Sequence, residues 1–559
     1  MANFAIGLDF GTNSCRSVII NVDNGEELAT SVYSYPSGEL GIITDQTDPN
    51  VARQNPQDYI SGLEFIIKES LNGAERDFPD FDSDNIIGIG VDTTGSTPIP
   101  VDDECRPLSL NDKFKDNINA LVWLWKDHTA YEEAEEITKL ANDIRPQFLE
   151  RCGGTYSSEW WWAKILHLKR IAPEVFNSAH SFLEHCDYIP ALLSGVNDIS
   201  LVKRSVCAAG HKAMYCPSWG GLPDKEFLGL LDPELEELRD RLYETAYPSN
   251  HAAGSLSLEW SEKTGLREGI PIAVGAFDCH MGAVACGVNE GVFTKILGTS
   301  TCDITVVPES QNVDHIPGVC GVVNGSVLPD HFGVEAGQSA VGDIFLWLVN
   351  NIVPDSYGST MDEKFETMEK LMSNDTPGSS GLIALDWNNG NRTILVDVRL
   401  SGLLLGQTLH TKAHEIYRAY IEATAFGALT IINRIEDYGV KIKEVVTTGG
   451  LSVKNTVLMQ IYADILDRPL KVAKSDQTCA VGAALFGASI NEGFDIFELR
   501  DKCALIRDKI YQPNPEAVKI YRKLYSLYTD LHDAFGTEKW QGNLSRVMKD
   551  LINLREDQR

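Results

Sequence analysis

Two short runs of small and hydroxyl-bearing residues carry the clearest chemical signal in the chain. Asp9-Phe10-Gly11-Thr12-Asn13-Ser14 lies between an apolar run, Phe4 to Leu8, and a second run, Arg16 to Val22, that alternates like a strand. A glycine lets the backbone approach a phosphate closely, and the Thr hydroxyl and nearby amides donate to it. A carboxylate such as Asp9 can hold a magnesium ion through water. By itself the segment also reads as an ordinary hairpin with a polar tip. Gly298-Thr299-Ser300-Thr301 repeats the device, between Gly291 to Leu297 and Cys302 to Val307, about half the chain later. A duplicated strand, phosphate loop and strand predicts two similar lobes with a nucleotide between them, since ligands favour such clefts.

Two further elements fit the same cleft. Lys443 to Thr448 predicts a short strand ending in Gly449-Gly450. Asn455 to Leu466 then predicts a helix, with Leu458, Ile461, Tyr462 and Ile465 at helical spacing. A double glycine between strand and helix lets a flat ring lie against the backbone. Asp278, in Ala276-Phe277-Asp278-Cys279-His280-Met281-Gly282-Ala283, follows a strand and opens a small-residue helix. That places a carboxylate toward a cleft, although an Asp there also reads as a helix cap.

The elements that must position these residues sit in a chain of ordinary globular composition. The 559 residues are 43% hydrophobic and 23% charged, enough for two large lobes. Acids outnumber bases 80 to 48, a formal charge of −32. Nucleic-acid backbones and anionic membrane surfaces are therefore excluded as partners. The same field repels nucleotides at long range, so a phosphate site must be built locally, from amides, a lysine or a metal. The 12 cysteines include no Cys-x-x-Cys pair, which removes structural zinc and thioredoxin-type chemistry and points to a reducing cytoplasm. No apolar window is long enough to span a membrane. Val51 to Gly73, Leu121 to Leu140, Phe227 to Tyr243 and residues 495–540 read as helical, and Asn374 to Gly381 as an exposed loop. The lobes divide near Val288 to Val292, as 1–288 and 289–559.

Some conspicuous residues are expected to be structural. Trp160-Trp161-Trp162 lies in an amphipathic run and reads as core, with room for one ring to roof a pocket. Glu132 to Glu136 reads as a solvated helix face. His410 and His414 have metal-ligand spacing but no Glu between them, and Cys279 reads as a packed thiol.

These elements, in this order, resemble the FGGY carbohydrate kinases. The resemblance is carried further by Gly90-Val91-Asp92-Thr93-Thr94-Gly95-Ser96-Thr97, Leu124-Trp125-Lys126-Asp127-His128 and Tyr156-Ser157-Ser158-Glu159-Trp160. Ala209-Gly210-His211-Lys212-Ala213, Gly333 to Ala340, Gly390 to Gly402 and Ala423 to Gly427 extend it. They look most like the branch of the family that acts on L-ribulose, from about residue 4 to about residue 535. The resemblance implies an α/β fold of two ribonuclease-H-like lobes, of the actin, hexokinase and heat-shock ATPase kind. Each lobe would hold a mixed five-stranded sheet with helices on both faces. It implies transfer of a phosphoryl group from ATP, with Mg2+, to L-ribulose, giving L-ribulose 5-phosphate in L-arabinose use.

The roles carried over are specific. Asp278 is the implied general base and Asp9 the implied metal ligand. Gly11, Thr12, Asn13, Gly298 and Thr299 would bind phosphates, and Gly449, Gly450 and Asn455 would line the adenosine. Gln338 would reach phosphate or sugar. Gly95, Lys212, Asp278 and Glu335 would hold the sugar, Gly95 by leaving room for it. A homodimer is the default oligomer. The rivals are a family member acting on D-ribulose, xylulose or a polyol, an actin- or chaperone-like ATPase, and a sugar-binding regulator with a dead kinase site.

Overall fold

The run Phe4–Phe10 forms β1 in the computed structural model, which describes residues 2–311, 313 and 315–558. β1 is buried along its whole length, as a strand covered on both faces must be. It pairs antiparallel with β2 (Ser14–Asn21), and β2 with β3 (Glu27–Ser34). Gly25, at φ +73°, closes the turn between β2 and β3. Helix α1 (Pro56–Asp77), capped by the Asn55 side chain on the Gln57 amide, crosses the sheet. It returns the chain as β4 (Ile86–Thr93), parallel to β1. A largely helical insertion with its own apolar core, built around Trp161, Trp162 and Phe227, follows. It includes α2 (Val206–Lys212). The chain then rejoins the sheet as β5 (Ala252–Ser255), β6 (Pro271–Ala273) and β7 (Ala276–Phe277). The order is β5-β6-β4-β1-β2-β3, with β7 also pairing β4.

Helix α3 (Asp278–Ala285) leads to the second sheet. It comprises β8 (Val292–Leu297), β9 (Thr301–Pro308), β10 (Gly321–Asn324), β11 (His331–Ala336), β12 (Glu444–Thr448) and β13 (Leu470–Val472). Their order is β10-β11-β9-β8-β12-β13, with β8 and β12 parallel. Helix α4 (Thr456–Leu466) runs between β12 and β13. The sheets thus hold 7 and 6 strands rather than five each. The additional pairings come from short strands such as β7 and β10, which carry little sequence signal.

Helix α5 (Thr478–Ser489), from the second half of the chain, lies on the first sheet. Its small residues make this possible, and so do glycines beneath it. A Cβ on Gly7 would stand 1.7 Å from the Ala480 carbonyl oxygen, and one on Gly90 equally close to that of Ala483. One apolar cluster therefore runs from Ala5 and Ile20 through Met281 and Ala483 to Ile304 and Val306. Both halves of the chain share it.

Several predicted helices are shorter than their patterns. Arg53–Gln54 is a strand paired with Val122–Trp123, so one helix starts at Pro56 and the next only at Tyr131. Pro233, which lacks an amide proton, splits Phe227 to Tyr243 into Lys225–Leu231 and Pro233–Arg239. The 495–540 region forms Ile496–Cys503 and Pro515–Gly536. Glu133 corrects the reading of a fully solvated acidic face: it is buried, 3.0 Å from His167 and 3.3 Å from Arg170. All 12 cysteines are free thiols. No described helix is long and apolar enough to cross a membrane.

Candidate active site

The strand register brings three carboxylates together. Asp9 lies opposite Asp92 where β1 and β4 run parallel, and Ala276 of β7 lies opposite Asp92 on its other side. Asp278 follows at the start of α3. Three neighbouring parallel strands therefore end in acids at their C-terminal edge, where ligands of open α/β sheets bind. Asp9 is paired with Arg16, Nε to Oδ2 at 3.3 Å. Asp278 Oδ1 accepts from the Cys279 amide at 2.6 Å. Burial, with the negative Asp9 and Glu335 nearby, pushes Asp278 up to about 7 despite that amide. Burial likewise raises Asp9, against the pull of Arg16. Asp92 is fully buried, and its carboxylate oxygens face Asp9 with no other donor among the described residues. Burial and the charges of Asp9 and Asp278 raise it well above the usual range.

Beside this edge sits a second buried cluster, contributed by both halves of the chain. Lys212, the last residue of α2, donates to Glu335 Oε1 of β11 at 2.7 Å. Burial works against the Lys212 charge, but Glu335 outweighs it and holds the ammonium. Glu335 is in turn held well below the usual carboxylate range, because Lys212 and two imidazoles outweigh its burial. His211 Nδ1 and His280 Nε2 lie 3.3 Å and 3.5 Å from Glu335 Oε2. The ammonium also sits over two rings, 5.3 Å from the centroid of Trp160 and 5.7 Å from that of Phe277. Trp161 and Trp162 are core, as expected, and Trp160 is the ring that reaches the site.

Gly95 lies against Phe277. A Cβ there would stand 1.8 Å from the ring. The Phe277 ring fills the space a Cβ at Gly95 would take, so the position admits no larger side chain. Its neighbours are pinned. Ser96 donates to Glu184, the Thr97 amide donates to Glu184 at 2.7 Å, and Lys164 Nζ donates to the Ser96 carbonyl at 2.9 Å. Burial pushes the Lys164 ammonium down to about 7.

The glycine loops are of a different kind. Gly11 makes a tight turn, its amide donating to the Ser14 carbonyl at 2.9 Å. Thr12 Oγ1 accepts from the Trp125 indole at 3.0 Å, and the exposed Asn13 donates to the Leu40 carbonyl at 2.6 Å. Gly298 and Thr299, at the end of β8, are exposed. Their carbonyls accept from Val341, Gly342 and Asp343, so the next helix starts against this loop. Gly449, at φ +99°, ends the parallel neighbour β12 and lies so close to β8 that a Cβ would be 2.3 Å from the Leu297 carbonyl oxygen. Gly450 has open space beside it.

Two expected nucleotide residues are placed differently. Gln338 is buried, with its side-chain amide engaged by Lys295 at 2.7 Å, Asp386 at 2.6 Å and the Thr424 carbonyl at 2.8 Å. It braces the second loop from beneath, its backbone amide donating to the Thr301 hydroxyl oxygen at 3.0 Å. Asn455 caps α4 by accepting from the Leu458 amide at 2.8 Å. Asp92, Arg16, His211, His280, Lys164 and Glu184 were given no role from sequence. Only Asp92 left a signal that could have been used: like Asp9, it ends an apolar strand and precedes small hydroxyl residues. His410 is exposed, and His414 lies 3.7 Å from Asp375, so they form no metal pair. Cys279 is buried, and its thiol is raised by contact with Cys302 and by burial.

Two sheets closing on helices α3 and α5, with glycine-hydroxyl loops and buried acids at their edges, give the two-lobed fold of the actin and hexokinase class. The chain belongs to the FGGY family of carbohydrate kinases: the family's N-terminal domain matches residues 4–285 and its C-terminal domain residues 294–490. It is an ATP-dependent sugar kinase. The ribulokinase of Halalkalibacterium halodurans is 42% identical over 559 residues, covering 95% of each chain. That of Vibrio parahaemolyticus is 38% identical over 545 residues, covering 94% of this chain and 95% of its own. Among solved structures, a xylulose kinase from Rhodospirillum rubrum superposes with a TM-score of 0.77 at 20% identity, over 95% of this chain and 99% of that one. Plasmodium falciparum glycerol kinase with ADP gives 0.75 at 16% identity, over 95% and 98%. These last two speak for the fold alone.

Proposed function

We propose that the chain phosphorylates L-ribulose at its terminal hydroxyl, giving L-ribulose 5-phosphate, as the second step of L-arabinose use. The observation that carries the site assignment is the adjacency of Asp278 to the buried Lys212–Glu335 pair. A base, a cation and an acceptor carboxylate stand together where a polyhydroxylated ligand needs mixed donors and acceptors. The substrate assignment draws on the ribulokinase relatives, which span nearly the whole chain. Lys212, Glu335 and the Gly95 backbone hold the sugar, and Trp160 and Phe277 shape its apolar walls.

Asp278 accepts the proton of the attacking hydroxyl as the new oxygen–phosphorus bond forms. The bond from the γ-phosphorus to the bridging oxygen breaks, and ADP leaves with that electron pair. A carboxylate near 7 suits this work, since a base is most effective when its pKa lies near the operating pH. Gly11, Thr12, Asn13, Gly298 and Thr299 position the phosphates, and Gly449 and Gly450 give the adenosine a flat approach. Asp9 and Asp92 supply hard oxygen donors, and the unpartnered oxygens of Asp92 fit a magnesium ion. A magnesium ion held by these residues would supply charge neutralisation for the phosphates. Residues 1–288 would then carry the first phosphate loop and most of the sugar contacts, and 289–559 the second loop, the adenosine and the sugar-binding Glu335.

The test is coupled ADP release with magnesium-ATP over L-ribulose, D-ribulose, L-xylulose, D-xylulose, ribitol and glycerol. L-ribulose should give the highest kcat/KM. Turnover led by another sugar would reassign the substrate and leave the base in place, and no turnover with any of them would remove the reading.

A further inference from the structure

The three atoms His211 Nδ1, His280 Nε2 and Glu335 Oε2 converge in the interior. None has a hydrogen-bond partner among the described residues, and the three residues present ligand atoms within 4.8 Å of one another. The two imidazole side chains are 0% and 1% exposed and the Glu335 side chain 12%. Such groups are costly to leave unpaired.

The hydrogen-bond directions around His211 sharpen the problem. Ser326 Oγ gives its proton to the Val323 carbonyl at 3.0 Å. Its oxygen lies 3.0 Å from His211 Nε2, and in the tautomer that donates to it the Nδ1 lone pair is free to bind a cation. An imidazole nitrogen and a carboxylate oxygen 3.3 Å apart are then positioned to share a cation.

We propose that His211, His280 and Glu335 form a binding site for a borderline divalent cation of the Zn2+ class, one that competes with the sugar for Glu335. The separations agree with it: a tetrahedron with zinc–ligand bonds of about 2.0–2.2 Å has edges of roughly 3.3–3.6 Å, against 3.3 Å and 3.5 Å here. Each ligand's far atom is also held, as metal ligands usually are. His211 is fixed by Ser326, His280 Nδ1 lies 3.5 Å from Cys279 Sγ, and Glu335 Oε1 is on Lys212. Nitrogen donors favour Zn2+ over Mg2+ here. Lys212 opposes the ion, so the site is an inhibitory one rather than a structural clasp.

The competition rests on the proposed sugar role of Glu335; the metal site itself does not. The experiment is a calorimetric titration of the full chain with Zn2+, without nucleotide, and a parallel Co2+ titration read by visible absorption. One ion should bind per chain, with the intense bands of four-coordinate Co2+. His211→Gln and His280→Gln should each weaken binding at least tenfold, while Cys279→Ser retains it. Glu335→Gln gives the same readout if a histidine variant misfolds. Saturating L-ribulose should weaken Zn2+ binding at least tenfold. Unchanged Zn2+ affinity in folded histidine variants, or in Glu335→Gln, would overturn the site. Histidine-dependent binding that no sugar displaces would keep the metal site and overturn the competition, with it the sugar role of Glu335.

Discussion

At its C-terminal edge the first sheet presents Asp9, Asp92 and Asp278, with Lys212 and Glu335 packed alongside, all largely buried. The corresponding edge of the second sheet presents Gly298, Thr299, Gly449 and Gly450, largely exposed and uncharged. The contrast follows from what each ligand brings. ATP carries its own charge, so its site needs only amides, hydroxyls and room for close approach. A sugar is neutral, and the charge of transfer develops at its hydroxyl, so the protein must hold fixed charges there in advance. Burying ions costs several kcal/mol each unless they are well paired. The Lys212–Glu335 pair offsets that cost, whereas Asp278 and Asp92 remain in protonation equilibria shifted by it.

The sharpest way to break this contrast is Asp278→Asn. The change keeps the shape and removes the base. Transfer should fall by about 10²–10⁴-fold, while ATP binding, measured by fluorescence or calorimetry, holds. The pH profile carries the same information with a definite sign. The base works only when deprotonated, so with Asp278 at about 7 kcat/KM should fall roughly tenfold per pH unit below that value and level off above it. A pH-independent rate between pH 5 and 8, or an active Asn variant, would take Asp278 out of the role.

Glu335→Gln comes next in size. It leaves the Lys212 ammonium buried without its counter-charge, and breaking a buried pair in this way costs about 3–5 kcal/mol. Urea denaturation should show that loss, and the KM for sugar should rise far more than that for ATP. Equal losses for both ligands would mean that the charged cluster serves the whole cleft.

Much of this arrangement was legible beforehand because it is local. Asp9, Gly11 and Thr12 follow an apolar strand in a few residues, and Gly298-Thr299 repeats them. Asp278, the tandem glycines and α4 could be found in the same way. What escaped is what register and long-range packing create. Asp92 meets Asp9 because β4 returns parallel to β1. His211 and His280 meet Glu335 across more than a hundred residues for the first and across a sheet boundary for both. Gln338 looked like a ligand because its segment is polar and small, yet Lys295, Asp386 and Thr424 claim its amide. One helix break had a local cause, Pro233, whereas the late starts at Pro56 and Tyr131 follow from the pairing of Arg53–Gln54 with Val122–Trp123. Gly95 lies in a run of small residues, but only the fold could show that the Phe277 ring lies where a Cβ there would point.

The smallest effect belongs on the exposed side. Thr299 stands in a loop whose backbone is already fixed, since its carbonyl accepts from Val341 at 2.8 Å and Asp343 at 3.2 Å. Thr299→Ala therefore removes a hydroxyl without loosening the turn. An exposed change of this kind should alter stability by less than about 0.5 kcal/mol. If the hydroxyl donates to a phosphate, its loss is worth about 0.5–1.5 kcal/mol, a rise of roughly 2–10-fold in the KM for ATP with that for sugar unchanged. A loss of stability like that of Glu335→Gln would show that the loop is built as rigidly as the buried edge. An unchanged KM for ATP would shift the phosphate contacts of this loop entirely to its backbone amides.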